Sequence, residues 1–320
     1  MKKLLTFILA LVIFCMPVMA SAGQAKKTIG VIQYVQHVAL DSAREGFVQA
    51  LADNGFTDGD TIALDIQNAQ ADASNLATIS DRFLANNVDL VLAIATPAAQ
   101  SVAGKTTEIP ILGTAITDYV AARLVDSNEV PGTNVSGTTD MNPVADQIKL
   151  LKELFPDTKT VGVLYTSSED NSVLQAKMAK DAIEAQGMAY TEVTVTNSND
   201  VQQATQSIVE ACDAIYIPTD NVFASSMPVV YEVATAARKP LIGGEAGMVM
   251  AGGLATLGIN YYDLGYQTGL MAVRVLGGED ISKMPIETAA KMDYTFNATY
   301  AGAIGYIIPQ AYQAYAALME

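Results

Sequence analysis

The sequence predicts an α/β protein of two similar doubly wound, parallel-sheet lobes joined by a three-strand hinge. Three observations predict it: one strand is written twice, each copy lies at the same distance from a glycine, and short apolar strands alternate with helical stretches. The repeated strand is "KKTIGVIQYV" from Lys26 and "TKTVGVLYTS" from Thr158. Gly30 is followed 25 residues later by Gly55, and Gly162 by Gly187 at the same interval. That interval fits strand, loop, helix and a glycine just past the helix end.

The repeat continues along both halves. "DLVLAIATPAA" from Asp89 answers "DAIYIPTDNVF" from Asp213, and "IPILGTAIT" from Ile109 answers "KPLIGGEAG" from Lys239. Between the strands lie "SAREGFVQALADNG", "NLATISDRFLANN", "SVLQAKMAKDAIEAQG" and "DVQQATQSIVEA", where apolar residues recur every three or four positions. Strand–helix alternation without hairpin signals implies parallel βαβ units with right-handed crossovers.

After the second half the chain continues through "DLGYQTGLMAVRVLGG" and "KMDYTFNATYAGAIGYIIP". This surplus predicts that the chain crosses between lobes near Thr139, Leu257 and Asp293. The expected first lobe is 28–138 plus 257–292, and the second is 139–256 plus 293–320.

The first residues, "MKKLLTFILALVIFCMPVMASAG", place two lysines before an apolar run and small residues after it. This is the pattern of a secretory leader at 1–22 cleaved after Ala22. The run falls short of the ~20 residues that span a bilayer, which disfavours a retained anchor. Cys15 would leave with the leader, and Phe14 before it does not fit a lipoprotein signal. Cys212 then stands alone, so no intrachain disulfide is expected, and a small buried side chain is its expected role.

The formal net charge is -16, and removal of Lys2 and Lys3 leaves 16 basic against 34 acidic residues. Such a balance repels phosphate backbones and excludes nucleic acid as a partner. Catalysis finds no support either. His37 is the only histidine, with Asp41 four residues on, but no nucleophile motif accompanies it. One histidine and one mature cysteine do not make a zinc site, and no cofactor is called for. Gly104-Lys105-Thr106 resembles the end of a phosphate-binding loop, yet Ala99 stands where that motif needs glycine. A helix beginning near Pro97 with Lys105 in solvent explains the stretch.

In a doubly wound lobe the functional loops lie at the carboxyl ends of the strands. Here these are 33–41, 95–100 and 114–118 in the first half, and 165–172, 218–222 and 244–248 in the second. None contains Lys or Arg, so a phosphate or dicarboxylate would lack its usual clamp. A small neutral or zwitterionic ligand fits better. Thr96, Ala98 and Thr117, opposed by Ser168 and Ser172, are candidates for a ligand carboxylate at helix starts. Asp220, then Glu245, then Asp118 are candidates for an ammonium. Gln33, His37, Tyr165, Thr219 and Asn221 complete the candidate set. Helix capping explains the Ser and Thr residues equally well, and an Asx turn explains Asp220. Tyr34, Tyr119, Tyr165 and Phe223 are positioned to wall an aromatic group or to pack within a lobe.

The stretches "QYVQHVALD" (33–41), "ATPAAQ" (95–100), "TAITD" (114–118), "NVSG" (134–137), "TSSEDNS" (166–172), "PTDN" (218–221) and "YYDLGYQTG" (261–269) carry a family resemblance. From about Lys27 to the end, the chain resembles the type I periplasmic substrate-binding proteins of ABC importers, in the branch linked to tryptophan, tyrosine or phenylalanine uptake. The resemblance implies a monomer in the periplasm that captures a small ligand between its lobes and delivers it to an inner-membrane ABC permease. The residues alone leave open a sensor feeding a signalling receptor, a secreted α/β enzyme, and nucleoside, sugar or branched-chain amino acid ligands.

Overall fold

The computed structural model describes residues 26–318. The expected leader, its cleavage point and Cys15 lie outside the described residues. The first half runs β1 (Lys27–Gln33), α1 (Val38–Asp53), β2 (Ile62–Asn68), α2 (Ala73–Ala85), β3 (Leu90–Ile94), α3 (Thr96–Ala103), β4 (Ile111–Ile116) and β5 (Val135–Thr139). The second half runs α4 (Val144–Leu154), β6 (Thr160–Thr166), α5 (Asp170–Ala185), β7 (Ala189–Val195), α6 (Val201–Ala211), β8 (Ala214–Ile217), α7 (Asn221–Ser225), α8 (Met227–Ala236), β9 (Leu241–Gly243), α9 (Ala246–Gly252) and β10 (Ala255–Ile259). The closing elements are α10 (Tyr261–Leu276), β11 (Glu287–Thr288), β12 (Met292–Asn297), α11 (Ala298–Ile304) and β13 (Ala316–Ala317).

The strands form two sheets, ordered β11-β5-β4-β3-β1-β2 and β13-β12-β10-β9-β8-β6-β7. Within both, the five strands of the repeat follow one order, β2-β1-β3-β4-β5 matched by β7-β6-β8-β9-β10. The pairing is parallel throughout except between β10 and β12. Each sheet has its own apolar core, centred in the first on Ile29, Phe47, Phe83 and Leu92, and in the second on Val163, Ile208, Ile215 and Phe296.

The twice-written strand now has a packing reason. A Cβ on Gly30 would lie 2.7 Å from the Phe83 ring of α2, and one on Gly162 would lie 2.5 Å from Ile208 of α6. Glycine lets the same helix approach the same strand in both lobes. Cys212, buried, packs against Gly162 as well. Gly55 and Gly187 follow the helix ends with φ of +84° and +71°, a region glycine enters without steric cost.

The chain passes between sheets three times: between β5 and α4, at Asn260, and between β11 and β12. Leu257 pairs with Tyr294 inside the second sheet, so the crossing expected there comes three residues later. Asn260 marks it by accepting the amide hydrogens of Tyr262 (2.9 Å) and Asp263 (3.2 Å) at the start of α10. Helix α10 then lies on α1 of the first lobe. Gly265 meets the Ala43 backbone, Gly269 meets Phe47 and Ala50, and Gly46 meets Tyr262, each too close to admit a side chain.

Candidate ligand-binding cleft

The carboxyl ends of β1, β3 and β4 face those of β6, β8 and β9 across the gap between lobes, and the lobes touch there. Gln100 Nε2 donates to Asp170 Oδ2 (2.9 Å), Gln175 Nε2 donates to Thr117 Oγ1 (3.1 Å), and His37 Nε2 lies 3.3 Å from Asn221 Oδ1. Tyr34 is buried, and after burial itself the charges of Glu169 and Asp220 in the other lobe do most to raise its phenol above the usual range. Because α9 lies against the start of α1, a Cβ on Gly247 would be 3.1 Å from Val38 Cβ.

Several sequence candidates are engaged within their own lobe. Asp220 is a helix cap. Its Oδ1 accepts Phe223 N–H (2.8 Å) and Thr166 Oγ1 (2.9 Å), its Oδ2 accepts Thr166 N–H (2.6 Å), and Ser172 adds a further bond. Four donors fill a carboxylate, and Asp220 also borders the inter-lobe cavity described next. Ser168 is exposed and donates to Thr196 O (3.2 Å), and Tyr165 donates to Glu192 (3.2 Å) at the sheet edge. Gln33 joins Val35, Asp41 and Arg44 within the first lobe. Ala98 is buried in the core with its amide bonded to Ala95 O (3.1 Å), and Asp118 caps Ala121 N–H (2.9 Å). Tyr119 and Phe223 are core side chains. Lys105 pairs with Asp81 (2.6 Å) instead of standing free in solvent.

One cavity between the lobes gathers His37, Thr219, Asp220, Asn221 and Glu245 with Asp140 and Tyr261, the last two passed over by sequence reasoning. Glu245 is buried and caps α9 through the amides of Gly247 and Met248, one bond per carboxylate oxygen. Each oxygen retains room for another donor. Burial pushes its pKa up to about 7, with the charge of Asp140 adding to the effect. Asp140, also buried, accepts Tyr261 Oη (2.7 Å) and Thr117 Oγ1 (3.1 Å), and burial raises its pKa. Thr219 Oγ1 faces Asn142 Nδ2 at 3.4 Å. Glu169 in the second lobe reaches from the start of α5 to the start of α7, accepting Asn221 Nδ2 (2.5 Å) and the amides of Asn221 and Val222 (both 3.3 Å). Burial, then the charge of Asp220, raises its pKa.

His37 fixes the polarity of this cavity. Asn221 Nδ2 donates to Glu169, so its Oδ1 faces His37 Nε2, and that nitrogen carries the hydrogen. Burial lowers the His37 pKa to about 4, leaving the ring neutral at pH 7 and Nδ1 a bare acceptor without a partner. The groups that border the cavity with free capacity are therefore acceptors, and no Lys or Arg is among them. Such a site suits an ammonium group.

The sequence family follows. A model of the ABC transporter substrate binding proteins matches residues 28–319. This chain belongs to that family. It is 42% identical over 275 residues, 86% of this chain and 80% of the relative, to a tyrosine-binding protein of Clostridioides difficile. The structure resembles that of an ABC domain from Streptococcus pneumonia in complex with L-Trp, with a TM-score of 0.88, 37% identity, and coverage of 92% of this chain and 99% of the other. Against the ligand-free, open structure of a Clostridium difficile substrate-binding protein the TM-score is 0.70 at 44% identity, over 92% and 99% of the two chains. Likeness falls although identity rises.

Asp140 and Tyr261 flank chain crossings, and Glu169 lies inside the loop after β6. Acidic residues at such positions were the signal available in sequence. What sequence does not carry is which of them have donors already in place.

Proposed function

We propose that the protein is the extracytoplasmic binding component of an ABC importer, capturing an aromatic amino acid as a zwitterion between its lobes. The observation that carries this reading is the cavity of Glu245, Asp140 and His37, buried between lobes and without Lys or Arg among the residues that line it. A ligand ammonium is stabilised there by charge-assisted bonds, whereas a phosphate or carboxylate would be repelled. The start of α1, which has no side-chain cap, offers the positive end of a helix dipole to the ligand carboxylate. The tyrosine-binding relative and the tryptophan complex support the choice of aromatic side chain.

In this reading the lobes are those of residues 28–138 plus 257–292 and 139–256 plus 293–320, with the crossing at Asn260 refining the second boundary. Ligand shifts the population toward closure about the three crossings. The chain is exported by a leader cleaved after Ala22, works in the periplasm as a monomer, performs no catalysis, and passes its ligand to an inner-membrane permease.

Melting curves with L-tyrosine, L-tryptophan and L-phenylalanine, set against a nucleoside and a sugar, test this. Binding to the native state adds ~2.7 kcal/mol at a hundredfold excess over Kd. A rise with a nucleoside or sugar and none with the three amino acids would overturn the ligand class.

A further inference from the structure

A second cavity lies near the ammonium site, also between lobes. Thr96 of the first lobe and Asn171 of the second face it, 2% and 6% exposed, and Thr96 Oγ1 and Asn171 Oδ1 are buried without partners. The amide orientation of Asn171 is set by its neighbours: Nδ2 donates to Thr219 O (3.1 Å) and is near Glu169 Oε2 (3.4 Å), so Oδ1 is the amide atom left without a partner. Asp118 and Asp170 border the same space, and Ala121, Ala122 and Leu174 supply apolar wall. Thr219, to which Asn171 bonds, borders the ammonium site, so one bonded pair links the two cavities. The Gln100–Asp170 bond joins the lobes beside the second one.

A buried polar atom without a partner costs free energy unless a ligand or water supplies one. Asn171 Oδ1 and the two carboxylates only accept, while Thr96 can give or take a hydrogen. The occupant must therefore donate. A phenolic O–H donates to Asn171 Oδ1 and accepts from Thr96 in return, and an indole N–H makes the first of these bonds.

We infer that Thr96 and Asn171, meeting from opposite lobes, determine ligand specificity by reading a hydrogen-bond donor on the ring, so that tyrosine and tryptophan are preferred over phenylalanine. This rests on the amino-acid-binding reading above and narrows it. Phenylalanine fills the same space but leaves both oxygens unpaired, and sites built to bond a hydroxyl reject the analogue lacking it.

L-Tyrosine and L-phenylalanine differ by that single oxygen, so calorimetric titration of wild type, Thr96→Val and Thr96→Ser with both decides. Wild type should bind tyrosine at least about tenfold tighter than phenylalanine. Thr96→Val should remove most of that ratio by weakening tyrosine alone, and Thr96→Ser should keep it. Retained phenylalanine binding shows that the variant is folded, and Asn171→Ser gives an independent second variant with the same expected loss of preference. Equal weakening of both amino acids would place the ligand's backbone groups in this cavity and overturn the inference, as would a wild-type ratio near one. Absence of binding by tyrosine, tryptophan and phenylalanine alike would overturn the parent reading and this one with it.

Discussion

In the second lobe, two helix starts at the cleft are capped by carboxylates, Asp220 on α7 and Glu245 on α9, with Glu169 reaching across to the α7 amides, while α5 has no side-chain cap. In the first lobe neither α1, which follows His37, nor α3, which follows Ala95, has a side-chain cap. Ala95 also holds φ at +82° with ψ at 153°, a conformation that costs about 1–3 kcal/mol for a residue with a Cβ. Two lobes with the same strand order thus differ at the gap: α1 and its counterpart α5 are both bare, but only the second lobe adds carboxylate caps, on α7 and α9. Duplication supplied the shape, and capping chemistry supplied the direction in which a zwitterion can lie.

The sharpest way to test that asymmetry is to compare two carboxylates of the second lobe. Glu245→Gln removes the charge facing the ammonium and should weaken amino acid binding by roughly 2–5 kcal/mol in a calorimetric titration. Asp220→Asn should instead act on the fold, lowering unfolding free energy by about 1–3 kcal/mol in a denaturant titration through lost bonds to Thr166 and Phe223. Reversed outcomes would return the ammonium to Asp220.

The lobes should also respond oppositely to pH without ligand. Glu245, raised to about 7, keeps its proton in the native state while the unfolded chain loses it near 4.5. Its contribution to stability therefore falls as pH rises across that window, by on the order of 3 kcal/mol. His37, lowered to about 4, contributes stability that is present above about 6.5 and lost as pH falls toward 4. The raised pKa values of Glu169, Asp140 and Asp220 act in the same sense as that of Glu245, so wild type should lose stability as pH rises across this range. Glu245→Gln should make the fall shallower, and His37→Asn should make it steeper. Parallel profiles for all three proteins would break the comparison.

A smaller effect is expected where the lobes touch. Gly247→Val places a side chain against Val38 and Ala39 of α1 and should disfavour closure by about 1–3 kcal/mol. Small-angle scattering with saturating tyrosine should then show less compaction than wild type. Equal compaction would mean that α9 moves aside during closure.

The scaffold was legible because a repeat compares a sequence with itself: Gly30 and Gly162 mark equivalent strands without outside reference, and helical periodicity marks what lies between. The residues at the crossings were harder. Leu257 lies within β10 and Asn260 just past its end, and only pairing with Tyr294 shows that the first belongs to the second sheet. In the cleft, residue type located the loops but not the roles. Asp220 and Glu245 each end a strand and begin a helix, and the difference is made by Thr166, 54 residues before Asp220. Thr96, Thr117 and Ser172 are likewise equivalent as hydroxyls. Thr117 is engaged by Asp140 and Gln175, Ser172 by Asp220, and Thr96 alone among them has an unpartnered oxygen. Long-range partners decide such questions, and they leave no local trace.

The glycine-tight seat of α10 on α1 also sets an order of events during synthesis. When the chain has emerged as far as Asp140, all five repeat strands of the first sheet exist, yet Ala43, Gly46 and Phe47 still lack the helix that covers them. The equivalent strands of the second sheet, with α4 to α9, form one uninterrupted stretch from Val144 to Ile259, so most of their contacts are available before α10 appears. Domains tend to fold as their contacts become available. The lobe that is begun first therefore waits for its covering helix until residues up to Leu276 have been made, by which point most of the second lobe is already present.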